Sequence, residues 1–320
     1  MKEPLVSVSL VAYNQEPFIR KAIESVLMQD VNFQYEIFIH DDASTDNTAD
    51  IILEYAEKFP DVITPIIQTK NKFSRGIEIN ASITIPKAKG KYIAFLEADD
   101  YWIDRKKLSY QTSFLESHPN ISMCFTATKH IFPSSETNSR LKRYRNKDSI
   151  VASKDIILKG GRLVDMGAAM VRRSVFVNIP DWYHSTQIWD ISVPLLSMLH
   201  GQIQYLDKVT SVYRYNTPGS WTQTNVKNRH HRIVNLQNTI KLLEGFDEST
   251  NQNYHKFIQK NKNSLIIELL LLSENYHKLF DEYYSKLTDI KKFEYKIFNQ
   301  FGSFHIWDKY RQIVRLITGY

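Results

Sequence analysis

Over the first hundred residues the apolar positions switch repeatedly between two periods. Residues 5–14, "LVSVSLVAYN", are rich in β-branched side chains and predict a strand. Pro17 then stands where a helix can begin, and Ile19, Ala22, Ile23, Val26 and Leu27 recur at helical spacing. "YEIFIH" (35–40) predicts a second strand. "TADIILEYAEKF" (48–59) predicts a second helix, with Ile51, Ile52, Tyr55, Ala56 and Phe59 on one face. "VITPIIQT" and "KYIAFLE" supply two more strands. Near-continuous apolar strands joined by amphipathic helices imply an α/β fold, its mainly parallel central sheet flanked by helices.

Further on, residues 105–160 predict a helix, the strand "ISMCFTATKHIF" and a polar excursion, "SSETNSRLKRYRNKDS", expected to be a mobile loop. "GAAMVRRSVF" (167–176) and "QYLDKVTSVYRY" (204–215) predict strands, with "WDISVPLLSMLHG" (189–201) a helix between them. From about residue 223 the pattern is helical, basic and aromatic. The expected division is therefore 1–222, an α/β domain, and 223–320, a helical C-terminal region.

In such a sheet, ligands bind outside the carboxyl ends of the strands. Here those ends read "AYNQ", "HDDAS" and "EADDYW". Glu97, Asp99 and Asp100 crowd three carboxylates into four positions. Charges so close repel unless a cation neutralises them, and magnesium or manganese takes oxygen ligands and also holds phosphate oxygens. The competing reading is a solvated turn leading to a helix N-cap at Asp104. Asp41 and Asp42 form a second pair, and Asp41 is placed to hydrogen-bond a nucleobase or sugar. Ser44 or Asp46 is expected to cap the next helix. Tyr13 could stack on a base.

Composition narrows the classes. The 320 residues carry 41 Lys and Arg against 35 Asp and Glu, and the resulting +6 suits anionic partners without choosing among them. The basic residues are dispersed, which argues against nucleic acid. Cys124 is the single cysteine, so neither an internal disulfide nor a thiolate zinc cage can form, and a reducing compartment is expected. No signal-peptide pattern opens the chain, and "SLIIELLLL" (264–272) is too short to span a bilayer and contains Glu268. A cytoplasmic location follows as the expectation. The turn after the first strand, "AYNQEPFIRKA", lacks the G-x-G-x-x-G of a dinucleotide dehydrogenase and the Gly-rich basic loop of a sugar-nucleotide pyrophosphorylase.

Together "VSLVAYNQEPFIRKAIESVLMQ", "YEIFIHDDASTDNT" and "GKYIAFLEADDYW" resemble the inverting family 2 glycosyltransferases of GT-A fold, over roughly residues 4–222. The resemblance implies that Val11, Ala12 and Tyr13 line the base pocket, that Asp41 bonds the base, and that Asp99 meets the ribose or a metal-linked water. Asp100 would bind a divalent cation, Mn²⁺ or Mg²⁺. Glu97 stands where the family usually has Asp. "NKFSRGIEIN" (71–80) resembles the segment that approaches the donor diphosphate, which makes Arg75 its anion contact. "IWDISVPLLSMLHG" resembles the segment carrying the general base, which is then Asp190. "VYRYNTPGSWT" resembles a segment where His often adds a metal contact; Asn216 stands there. The implied partners are a nucleotide-diphosphate sugar, with a UDP-sugar favoured, and a glycan or lipid-linked acceptor in surface polysaccharide assembly. A catalytically weak or inactive nucleotide-sugar-binding homologue is the alternative, kept open by Glu97 and Asn216. Trp182, Tyr183, His184 and Trp189 could build a sugar platform or belong to the core.

In the tail, Ile306, Trp307, Tyr310, Ile313, Val314 and Ile317 recur near helical spacing with Lys309, Arg311 and Arg315 between them. That suits a helix lying on anionic lipid, and equally one packed on the catalytic domain or on a second copy in a homodimer.

Overall fold

The computed structural model describes residues 3–132, 135–215, 217, 228–273 and 282. The first half alternates as the apolar pattern predicts: β1 (Val6–Ala12), α1 (Glu16–Leu27), β2 (Tyr35–Asp41), α2 (Thr48–Lys58), β3 (Ile63–Ile67) and β4 (Tyr92–Glu97). Next come β5 (Tyr101–Trp102), α3 (Lys107–Ser117), β6 (Ile121–Phe132), β7 (Ser135–Lys142), β8 (Ser149–Ile150), α4 (Ser153–Lys159) and β9 (Ala169–Arg172). The series ends with α5 (Trp189–Met198), β10 (Gln202–Arg214), α6 (Arg229–Ser249) and α7 (His255–Leu272).

One sheet runs in the order β3-β2-β1-β4-β9-β6-β10-β5, with β7 added to β6 and β8 to β10. β3, β2, β1 and β4 are parallel. β9 then enters antiparallel to both β4 and β6, while β10 returns parallel to β6. Val6, Val8, Leu10 and Ala12 bury one face of β1 in a core shared with Ile19, Ile23 and Val26 of α1. On the opposite face Ser9 is small enough to admit the turn at 80–84, and its hydroxyl bonds Asn80 Oδ1 (2.8 Å) and Thr84 Oγ1 (2.7 Å).

Two expectations change. Part of the polar excursion is strand, since residues 135–142 fold back as β7 on β6. Charged, polar side chains are what an edge strand carries, so composition hid it. The helix after the acidic motif starts at Lys107, with Lys106 as its cap residue. Asp104 lies two residues earlier and accepts from the Lys106 N–H (2.8 Å).

Contacts divide the chain into two compact units, the first ending at Asn261 and the second starting at Lys262; the expected boundary was 222/223. α6 lies within the first unit. A Cβ on Gly245 would stand 2.2 Å from the Trp182 Cβ, so only glycine permits this approach. The Trp182 indole then stacks edge-on to Phe246 (5.8 Å) and donates to Ser249 Oγ (2.8 Å). Among the described residues no helix is long and apolar enough to cross a membrane. The amphipathic stretch 306–317 lies outside the described residues.

Candidate active site

The carboxyl ends of β2, β1 and β4 meet in register. Ala12 pairs with Asp41 and Val11 with Glu97. Both ladders continue one step further, with Asp42 N–H donating to the Ala12 carbonyl and Ala98 N–H to that of Val11 (each 2.9 Å). Ala12 is buried, Val11 half-buried and Tyr13 exposed. The three polar strand ends thus form one crevice.

Its walls are held by carboxylates. Buried Asp41 accepts from Ser44 N–H (3.0 Å) and from the Ser44 hydroxyl. Asp42 accepts from Lys72 N–H (2.7 Å) and Phe73 N–H (2.9 Å), pinning the loop that presents exposed Arg75. Asp46 accepts from Glu16 N–H (3.1 Å) and Thr48 N–H (3.0 Å), the first residues of α1 and α2. It therefore serves both helix starts, where the backbone donors and the helix dipole favour negative charge.

Glu97, Asp99 and Asp100 follow at the end of β4, each offering a carboxylate oxygen within 4.8 Å of the others. Burial, then the neighbouring Asp99 and Glu97, hold the Asp100 carboxyl well above the ordinary range. Glu97 is pushed up to about 8 by burial, then by Asp99, Asp190 and Asp165. The Trp189 indole, donating to Glu97, pulls the other way. Burial also raises Asp99, against a hydrogen bond from the Thr217 hydroxyl (2.6 Å). Three oxygen donors that raise one another, with only the Arg214 guanidinium favouring charge at Asp99, fit a hard divalent cation.

Arg214, at the end of β10, braces this cluster. Its N–H donates to Asp100 Oδ1 (2.8 Å), its guanidinium bonds the Asp99 carbonyl, and that charge sits over the rings of Tyr101 (4.6 Å) and Phe18 (4.9 Å).

Asp190 comes from a different element, the first turn of α5. Burial raises its carboxyl to about 6; Lys142 favours its charged form and Asp165 opposes it. Gly161 abuts it so closely that a Cβ there would stand 2.2 Å from Asp190 Oδ2. Burial works against the charge of Asp165 as well, yet His130 Nε2 (2.8 Å) and Lys142 Nζ (2.7 Å) hold its carboxyl below the usual value.

Gln187, three residues before Asp190, donates its side-chain amide to the Phe73 (2.6 Å) and Ile77 (3.1 Å) carbonyls, bracketing Arg75. Trp182 and Tyr183 are buried, which makes them core rather than a sugar platform. Trp189 is half-buried, edge-on to Phe95 (5.2 Å), and His184 is exposed. Asn216 lies outside the described residues.

The sequence model described as "Glycosyl transferase family 2" matches residues 7–179, more than half of the chain. The chain belongs to this family. It is a glycosyltransferase of GT-A fold. An uncharacterized protein of Mycobacterium tuberculosis is 29% identical to this family 2 chain over 256 residues, covering 76% of this chain and 70% of that one. WfaP of Escherichia coli, named as a UDP-Glc:alpha-D-GlcNAc-diphosphoundecaprenol beta-1,3-glucosyltransferase, is 42% identical over 113 residues, 35% of this chain and 42% of its own. Among solved structures, S. aureus TarS 1-349 in complex with UDP-GlcNAc superposes with a TM-score of 0.59 at 16% identity, covering 90% of this chain and 77% of that one. At that identity the likeness speaks for the fold alone.

Sequence reasoning missed Gly161, Asp165, Gln187 and the bracing role of Arg214. A Gly-Gly pair at 160–161 signals a special turn. Asp165 carries no local signal, because its partners arrive from β6 and β7.

Proposed function

We propose that this glycosyltransferase inverts the anomeric centre as it moves a sugar from a nucleotide diphosphate, a UDP-sugar, to an acceptor hydroxyl. The observation that carries the reading is that two elements supply carboxylates to one site: Glu97, Asp99 and Asp100 at the end of β4, and Asp190 in the first turn of α5, whose charge is felt at Glu97. Glu97, Asp99 and Asp100 would hold the cation, manganese or magnesium, which when bound supplies Lewis-acid stabilisation of the departing diphosphate. Arg75 adds a positive charge to the same phosphates. Val11, Ala12 and Tyr13 receive the base, and Asp41 bonds it. Asp190 takes the proton of the acceptor hydroxyl as that oxygen attacks the face opposite the leaving group. A single carboxylate on that side suffices for inversion, since no covalent sugar–enzyme intermediate is needed.

The name of WfaP supports a UDP-linked donor and a lipid-linked acceptor, and hence action at the inner face of the cell membrane. The catalytic unit corresponds to residues 1–222, with the remainder a helical accessory. The non-catalytic alternative is disfavoured because the three carboxylates of the crevice and Asp190 are all present, and Asp190 acts electrostatically on Glu97.

A titration with UDP tests the reading. The wild-type chain should bind UDP in a manganese-dependent manner, and Asp100→Ala should lose the manganese dependence and most of the affinity. No interaction of the wild type with UDP or UDP-sugars, with or without manganese, would refute it.

A further inference from the structure

Beside Asp190, one face of the sheet carries side chains that the proposed reaction leaves unused. β6 and β7 pair with Thr128 opposite Lys142 and His130 opposite Arg140. Side chains directly opposite share a face, and so do those two positions apart, so Arg140, Lys142 and His130 project together. β10 runs along the other side of β6 with Tyr213 in register with His130.

Rings line this face: Tyr213 lies 4.9 Å from His130 and 6.3 Å from Tyr215, which lies 5.4 Å from Phe132. Tyr215 remains 37% exposed. The cations differ in status. Lys142 is tied to Asp165, whereas exposed Arg140 has no ion-pair partner among the described residues. The electrostatic influence of Lys142 and Asp165 on Asp190 places this face next to the carboxylate read as the base.

Aromatic surface with a few polar groups at its margin is the make-up of a small-molecule site, and a planar guanidinium matches carboxylate and phosphate alike. We propose that this face is an acceptor subsite for a sugar bearing an anionic group, its ring resting on Tyr213 and Tyr215 and its oxyanion met by Arg140. The inference rests on the reading of Asp190 as the base, because only then does the acceptor hydroxyl belong here. Lys142, already neutralised by Asp165, keeps that carboxylate from repelling the incoming anion.

The test uses the full chain with saturating UDP and magnesium, which keeps phosphate probes out of the nucleotide crevice. Glucose 1-phosphate, glucuronate and methyl glucoside are titrated by ligand-observed NMR. At least one anionic probe should bind about two- to fivefold tighter than the neutral sugar, the range of an exposed charge contact. The preferred anion then identifies the acceptor group as phosphate or carboxylate. The advantage should vanish in Arg140→Gln, and Tyr215→Ala should weaken all three probes.

Equal binding of charged and neutral probes, or discrimination that survives Arg140→Gln, would overturn the subsite while leaving the proposed function standing. Absence of metal-dependent UDP binding would instead remove the functional reading on which the subsite rests.

Discussion

Replacing Asp190 with Asn keeps the shape of the side chain and removes its ability to accept a proton. General-base catalysis contributes about a hundred- to ten-thousandfold, so turnover should fall by that factor, roughly 3–5 kcal/mol of barrier. The wild-type pH profile should carry the signature of the same group. With its carboxyl raised by burial to about 6, Asp190 is mostly charged at pH 8. Activity should halve near pH 6 and drop to about one tenth at pH 5, as the charged fraction of such a group does.

The folding consequence has a definite sign. The native state holds this proton more tightly than the unfolded chain, so the group destabilises the fold increasingly as pH rises from the ordinary Asp value of 3.8 through about 6. Asp190→Asn should therefore be more stable than wild type at pH 7.5, by about 2 kcal/mol after allowing for partial exposure, and the difference should disappear near pH 4. UDP release from a UDP-sugar with manganese, measured from pH 5 to 8.5, gives the rates; paired thermal melts give the stabilities. A variant within about threefold of wild-type turnover would contradict the general-base contribution expected here. So would a variant retaining the acidic limb near pH 6.

Two further substitutions probe geometry. Gly161→Ala drives a methyl to within 2.2 Å of Asp190 Oδ2; displacing a reacting group by an ångström costs on the order of a hundredfold, so turnover should collapse while calorimetry finds UDP affinity unchanged. Ala43 holds φ at 65°, a left-handed conformation that costs a non-glycine residue about 1–2 kcal/mol. Ala43→Gly should raise stability by about 0.5–1 kcal/mol once the greater entropy loss of glycine is subtracted, visible as a higher melting temperature.

The crevice is legible in the sequence because its parts are local. Each strand end turns polar within a few residues, and a parallel sheet necessarily aligns those ends. β9 was hidden in its direction: three apolar residues and an arginine, 169–172, read equally well as parallel or antiparallel, and only insertion between β4 and β6 decides. β7 was hidden by composition, since a strand paired along one edge only carries polar and charged side chains. Asp165 draws its partners from His130 and Lys142, 35 and 23 residues away. Spacings of that kind leave no periodic trace. Arg75 and Asp190 could be nominated only by resemblance, as an exposed Arg in a loop and an Asp at a helix start are common in any fold.

Gln187 is a mechanical link. A single carboxamide grips two backbone carbonyls four residues apart, and three residues later the chain enters α5. These two hydrogen bonds link the 73–77 loop to the residues that lead into α5. A ligand that displaced Arg75 would pull, through Gln187, on the segment that leads to Asp190.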